Sequence, residues 1–234
     1  MLTLDNLILR QEGFSLRASW QARAGERLAL IGPSGAGKSS LLSAIAGFYA
    51  PAAGRVLWQG QDLTAMPPGQ RPLSILFQDQ NLFPHLTLAQ NTGLGLRPDL
   101  RLDRAGWARA EAALERVGLG GMGTRKPGEI SGGQASRAAL ARVLLRARPI
   151  LLLDEPFAAL GPALKSEMLT LLSELSAEHN TTVLMVTHEP RDALEFAPLT
   201  VLVAGGEAAA PMPSAALLAD PPPELRAYLG SSTP

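Results

Sequence analysis

Gly32-Pro33-Ser34-Gly35-Ala36-Gly37-Lys38-Ser39 decides the fold of this chain. It is a complete G-x-x-x-x-G-K-S run, set between a strand-length apolar segment, Arg27 to Ile31, and a helical pattern from Ser39 to Ala46 that Gly47 can stop. Glycines let the backbone curl so that several N–H groups converge on phosphate oxygens, and the following helix adds the positive end of its dipole. In such a loop Lys38 would supply a point charge to the β and γ phosphates, and the Ser39 hydroxyl would hold Mg²⁺. Ser40 continues the run into the helix. The strand-to-helix setting that this loop needs is present on both sides.

Outward from the loop, alternation of apolar and polar residues at Leu2 to Leu9 and Phe14 to Trp20 predicts two strands, with Glu12-Gly13 as the turn of a hairpin. Gly54 to Gln59 and Leu73 to Phe77 predict two more, separated by the turn-rich Met66-Pro67-Pro68-Gly69. From about Phe83 to Ala147 the strand signal disappears, and helices are predicted at Asp103 to Val117 and Gly133 to Arg146. Strand character returns at Ile150 to Leu153 and Thr181 to Val186, with a helix at Leu164 to Glu178 between them. Such alternation implies the α/β class, a parallel sheet covered by helices. The tail from Pro211 shows helical fragments and no second domain.

Composition narrows the function classes. The chain has 234 residues, 46% of them hydrophobic and 18% charged, with 21 basic against 21 acidic side chains. That excludes disordered and collagenous chains, and zero net charge argues against a dedicated nucleic-acid binder. Without cysteine there are no disulfides and no thiolate zinc sites. No apolar run approaches the roughly 18 to 20 residues that span a bilayer, and the N-terminus lacks a secretory pattern, so a cytosolic protein is expected. Lysine occurs only at 38, 126 and 165, which makes Lys38 conspicuous.

Ile150-Leu151-Leu152-Leu153-Asp154-Glu155 is a buried-strand run ending in two carboxylates. Asp154 can hold Mg²⁺, and Glu155 can orient or deprotonate a water for attack on a γ phosphate. Between loop and carboxylates lies Ile130-Ser131-Gly132-Gly133-Gln134, where Ser131 can cap a helix whose glycines let an anion approach closely. In this order the motifs resemble those of ATP-binding cassette (ABC) ATPases from end to end.

That resemblance implies a P-loop NTPase (RecA-like) core at about 1–82 and 148–234, with N-terminal antiparallel β strands and an inserted helical subdomain at about 83–147, all within one ABC ATPase domain. It implies that the signature loop of one subunit, Ser131, Gly132, Gly133 and Gln134, closes over ATP held by the loop Gly32, Pro33, Ser34, Gly35, Ala36, Gly37, Lys38, Ser39 and Ser40 of another. Gln78 matches the glutamine that senses Mg²⁺ or water, and His188 the histidine that contacts the γ phosphate. The expected metal ligands are thus Ser39, Gln78 and Asp154, and the expected catalytic side chains Glu155, His188 and Gln78.

Three departures accompany the match. Ala158 and Gly161 stand in Phe157-Ala158-Ala159-Leu160-Gly161-Pro162 where relatives carry serine and aspartate, Arg10 or Gln11 stands where an aromatic often stacks on adenine, and Ala135-Ser136-Arg137 begins the post-signature helix differently.

With no membrane span of its own, the chain is expected to power an importer from the cytoplasmic face of the inner membrane, as a cassette homodimer bound to integral-membrane permease subunits and, through them, to a substrate-binding protein. Stretches such as Arg71 to Gln78, Asn81-Leu82-Phe83, Gln90 to Leu96 and Glu167 to Leu171 resemble the branch of the class that imports thiamine, with thiamine pyrophosphate as a further cargo. Importers of iron, polyamines or molybdate share much of the pattern, although most carry an additional C-terminal domain. Soluble ABC ATPases acting on DNA or ribosomes usually have two cassettes or a coiled-coil insertion. A GTPase would need N-K-x-D, and none of the three lysines follows an asparagine.

Overall fold

A computed structural model describes residues 1–11, 13–78, 82–158 and 160–230. In chain order its strands are β1 (Leu2–Gln11), β2 (Phe14–Ala22), β3 (Arg27–Ile31), β4 (Ala53–Trp58), β5 (Gln61–Asp62), β6 (Leu73–Leu76), β7 (Ile150–Asp154), β8 (Thr182–Val186), β9 (Leu199–Ala204), β10 (Glu207–Ala208) and β11 (Met212–Pro213). The helices are α1 (Lys38–Ala46), α2 (Leu88–Gly93), α3 (Arg104–Arg116), α4 (Gly132–Leu145), α5 (Pro162–Glu178), α6 (Pro190–Phe196), α7 (Ser214–Ala219) and α8 (Pro223–Leu229).

One sheet runs in the order β5-β4-β1-β2-β10-β9-β3-β8-β7-β6. Its β9-β3-β8-β7-β6 portion is parallel, whereas β1 pairs antiparallel with both β2 and β4. The parallel strands are buried on both faces, which is why Ile150 to Leu153 reads as an unbroken apolar run while β2 alternates. On one face α1 joins the core with Leu41, Leu42 and Ile45 against Leu28, Leu30 and Leu152. On the other, Leu140, Leu169 and Phe196 of α4, α5 and α6 pack on Ile31, Leu153 and Met185. A third cluster, with Leu88, Leu114 and Ala138, ties α2, α3 and α4 together.

The predicted strands and long helices occur within a few residues of their expected ends. Glu12 of the predicted hairpin turn lies outside the described residues, yet Gln11 pairs with Phe14 across it. No strand is predicted between Val186 and Pro211, but β9 occupies the sheet interior beside β3. The helix α2 is also unpredicted. Thr87 starts it with a capping box, its hydroxyl accepting from Gln90 N and the Gln90 side chain accepting from Thr87 N.

Candidate active site

The carboxyl ends of four parallel strands form one edge. Chain leaving β3 enters the glycine loop at Gly32, β7 ends on Asp154, β8 leads to Thr187 and His188, and Gln78 follows β6 by two residues. The ladder aligns these ends, pairing Leu30 with Val186, Val186 with Asp154, and Leu153 with Leu76. Parallel register therefore gathers residues far apart in sequence.

The loop is tightly held. Gly32 and Gly37 have φ of 149° and 101°. A Cβ on Gly32 would lie 2.0 Å from the Val203 carbonyl oxygen, and one on Gly37 2.3 Å from Phe14 Cζ, so both positions require glycine. Phe14 is therefore half-buried against the loop and the core, not displayed as a flat platform. Exposed Arg10 offers its carbonyl to the Tyr49 hydroxyl.

Inside the loop, buried Lys38 donates through Nζ to the carbonyls of Gly32 at 2.7 Å and Pro33 at 2.9 Å. Burial holds its ammonium below the ordinary lysine range, and Glu155 and Asp154 work against that shift. Ser39 Oγ donates to Asp154 Oδ1 at 3.0 Å. Burial raises the Asp154 carboxyl, the Ser39 hydrogen bond opposes the rise and the Glu155 charge adds to it. Two hard oxygen donors thus meet beside a buried ammonium, an arrangement that suits Mg²⁺ with a phosphate chain. No group of three or more His, Cys, Asp or Glu side chains able to hold a metal occurs among the described residues, so a cation here would draw its other ligands from phosphate and water.

Glu155 adopts φ of 49° and donates its N–H to the Val186 carbonyl at 3.2 Å, a left-handed conformation that turns its side chain off the strand end. Its Oε1 faces His188 Nε2 in direct contact. Behind them, Thr187 Oγ1 donates to Asp192 Oδ2 at 2.8 Å, and Lys165 Nζ bonds Glu189 Oε1 at 2.5 Å and lies 3.5 Å from Asp192 Oδ2. A cavity of about 230 Å³ lies among Glu155, Phe157, Lys165, Thr187, His188 and Asp192. Exposed Gln78 stands at the same sheet edge.

The signature segment is elsewhere. Ser131 Oγ accepts from Gln134 N at 3.3 Å while Gln134 Oε1 accepts from Ser131 N at 3.0 Å, a capping box that starts α4. Ser131 and Gly132 are exposed, and no hydrogen bond among the described residues joins them to the 32–39 loop. Ala159 lies outside the described residues. Gly161 caps α5 with φ of −67°, and a Cβ there would meet nothing within 4 Å.

Three contributors escape sequence reading. Buried Asn91 of α2 accepts from Phe83 N at 2.7 Å and donates to the carbonyls of Phe83, Leu86 and Thr87, fixing the 83–87 loop. Buried Arg71 donates to the carbonyls of Met66, Ala44, Ile45 and Thr64, closing the end of α1. Tyr228 of α8 donates to the His188 carbonyl at 2.9 Å. A lone Asn, Arg or Tyr has no spacing signal, since each acts on carbonyls that only the fold brings near. Phe83 itself, 47% exposed, lines with Phe48, Leu94, Arg142 and Arg146 a groove of about 340 Å³ between the sheet core and α4.

A parallel sheet carrying a glycine loop, a buried lysine and a carboxylate-ended strand defines a P-loop ATPase. The sequence pattern of the family described as ABC transporter matches residues 16–158, and the chain belongs to that family. It is 68% identical over 98% of its length to the whole of the thiamine import ATP-binding protein ThiQ of Cereibacter sphaeroides, and 57% identical over 99% of its length to the whole of the protein of that name in a Ruegeria species. Against the Escherichia coli K12 protein of the same name, identity is 49% over 89% of this chain and 90% of that one. Among solved structures, a dimeric post-hydrolysis state of the ATP-binding cassette MJ0796 bound to ADP and Pi matches with a TM-score of 0.80 and 28% identity, over 92% of this chain and 99% of that chain.

Proposed function

We propose that this chain is the ATP-hydrolysing subunit of a thiamine importer, working as a pair of cassettes on the cytoplasmic side of permease subunits. The observation that carries the reading is the single sheet edge at which Lys38, the Ser39–Asp154 pair and the Glu155–His188 pair meet. The names borne by relatives up to 68% identical support thiamine as the cargo.

In this reading the N–H groups of residues 34–39 and the Lys38 ammonium bind the β and γ phosphates. Exchange of neutral carbonyl partners for phosphate oxygens gives the buried ammonium an opposite charge, which favours the bound state. Ser39 and Asp154 would hold Mg²⁺, with Gln78 beside them, and the ion when bound neutralises charge on the phosphate oxygens. Glu155 orients a water and accepts its proton as the water oxygen bonds to the γ phosphorus and the bond to the bridging β–γ oxygen breaks, releasing ADP and phosphate. His188 must exchange Glu155 for the γ phosphate as the site fills.

The Ser131–Gln134 segment supports a composite site, since Ser131 and Gly132 at its helix amino terminus are exposed and make no hydrogen bond to the 32–39 loop among the described residues. The Phe48–Phe83 groove supports docking of a permease helix, being a cleft with two exposed phenylalanines on its lining.

Glu155→Gln tests the chemistry: turnover is expected to fall about 10²- to 10⁴-fold while ATP binding persists and an ATP-loaded dimer accumulates on gel filtration. Normal turnover in that variant would overturn the assignment. Uptake of labelled thiamine by vesicles holding the chain with its permease tests the cargo, and transport of iron or a polyamine instead would replace it.

A further inference from the structure

His188 is held from two sides. Its Nε2 faces Glu155 Oε1, while its carbonyl accepts from the Tyr228 hydroxyl at 2.9 Å and its Nδ1 lies 3.5 Å from the same phenol oxygen. The tyrosine comes from α8, forty residues beyond the histidine and the last helix among the described residues. That helix is anchored by fully buried Leu225, which packs in the same apolar cluster as Met185 and Phe196. Tyr228 is itself half-buried, and burial and the Glu155 charge both raise its phenol, which keeps the O–H protonated as a donor.

We propose that Tyr228 is a positioning residue for hydrolysis, clamping the main chain and ring of His188 so that Nε2 stays aimed at the sheet edge where Glu155 and the γ phosphate meet. The physical need is specific. His188 follows β8 by two residues, and its side chain is exposed by 41%, so without a second tether its ring would sample several rotamers. A single hydroxyl that holds the carbonyl and borders Nδ1 restrains both backbone and ring, leaving Nε2 to face Glu155. The other charged groups nearby are Asp154 beside Glu155, and Glu189, which is taken up by Lys165 of α5. Neither bonds the imidazole, so Tyr228 and Glu155 alone orient it among the described residues.

The proposal rests on the ATPase reading but is testable apart from it. The chain has three histidines, so ring-nitrogen NMR of the full chain gives few signals, and His188→Gln identifies those of His188. In Tyr228→Phe, which keeps the ring and loses the hydroxyl, the nucleotide-free protein is expected to show shifted His188 signals with His85 and His179 unmoved. Turnover is expected to fall about 3- to 10-fold, the equivalent of one hydrogen bond, with the ATP dependence unchanged. Arg226→Gln, on the same helix, is expected to leave both readouts at wild-type values. Unmoved His188 signals in a folded Tyr228→Phe protein overturn the proposal whatever the turnover, and so does wild-type turnover. Absence of ATP hydrolysis by the wild type would instead strike the function, while the NMR comparison still decides the clamp.

Discussion

Lys38 spends its hydrogen bonds on two carbonyls of its own loop, and burial disfavours its charge, so the loop holds an ammonium that only an anion fully satisfies. Lys38→Ala is therefore expected to weaken ATP binding by about 1.5–3 kcal/mol, roughly 10- to 150-fold, and to abolish most of the rise in Tm that ATP causes in the wild type. Equal thermal shifts in the two proteins would contradict this. Asp192 makes a complementary case behind the site. Burial raises its carboxyl above the ordinary aspartate value of 3.8, against the Thr187 hydrogen bond and the Lys165 charge. An acid raised on folding binds more protons in the folded state, so stability falls as pH rises from the ordinary value through the raised one. Asp192→Asn keeps an acceptor for Thr187 and removes that slope. Melting curves across about pH 4 to 6 are expected to show the wild type losing Tm relative to the variant as pH rises.

The helix α5 is capped by Gly161, where the ABC resemblance implies an aspartate, and that cap has no side-chain hydrogen bond. Backbone φ of −67° and open space around a Cβ mean that glycine is not required there. Gly161→Asp is thus expected to stabilise the chain by about 0.3–1 kcal/mol through capping and the helix dipole, a rise of roughly 1–3 °C in Tm. An acid at this point is also expected to strengthen ATP-driven pairing of two cassettes, read as dimer fraction on gel filtration. A stabilised variant whose dimer fraction stays at the wild-type value would confine the effect to the helix. The long elements α3, α4 and α5 were legible because apolar spacing persists over several turns, whereas six-residue α2 depends on Thr87 and Gln90 capping each other and on Asn91 binding the preceding loop.

In the whole molecule, the sheet core and the three-helix cluster of α2, α3 and α4 meet at the groove bounded by Phe48 and Phe83. Asn91 holds the Phe83 segment through four hydrogen bonds, so the rim of the groove is rigid. Phe83→Asp is expected to abolish copurification with the permease while ATP binding by the isolated chain stays at the wild-type level, because the groove that Phe83 lines includes no residue of the 32–39 loop. Asn91→Ala, which takes the acceptor from the Phe83 N–H and the side-chain donor from the Leu86 carbonyl, is expected to cost about 1–3 kcal/mol of stability and to weaken the same assembly. Copurification of the Phe83→Asp protein at wild-type yield would remove this groove from the interface.

The phosphate loop, the carboxylate-ended β7 and the capped start of α4 are legible without coordinates because each is a local device, in which glycine torsions, a buried apolar run and a serine cap act within a few residues. The strand β9 is different. Leu199-Thr200-Val201-Leu202-Val203-Ala204 carries β-branched residues, yet its place beside β3 follows from ladder hydrogen bonds to a segment about 170 residues away. Likewise His188 and Glu155 are each only a polar residue at a strand end until parallel register sets them side by side, and Tyr228 reaches His188 only because Leu225 buries α8 against the far face of the sheet. Local chemistry chose the loops and strands; long-range packing chose which strand ends share one edge, and that edge is where the chemistry takes place.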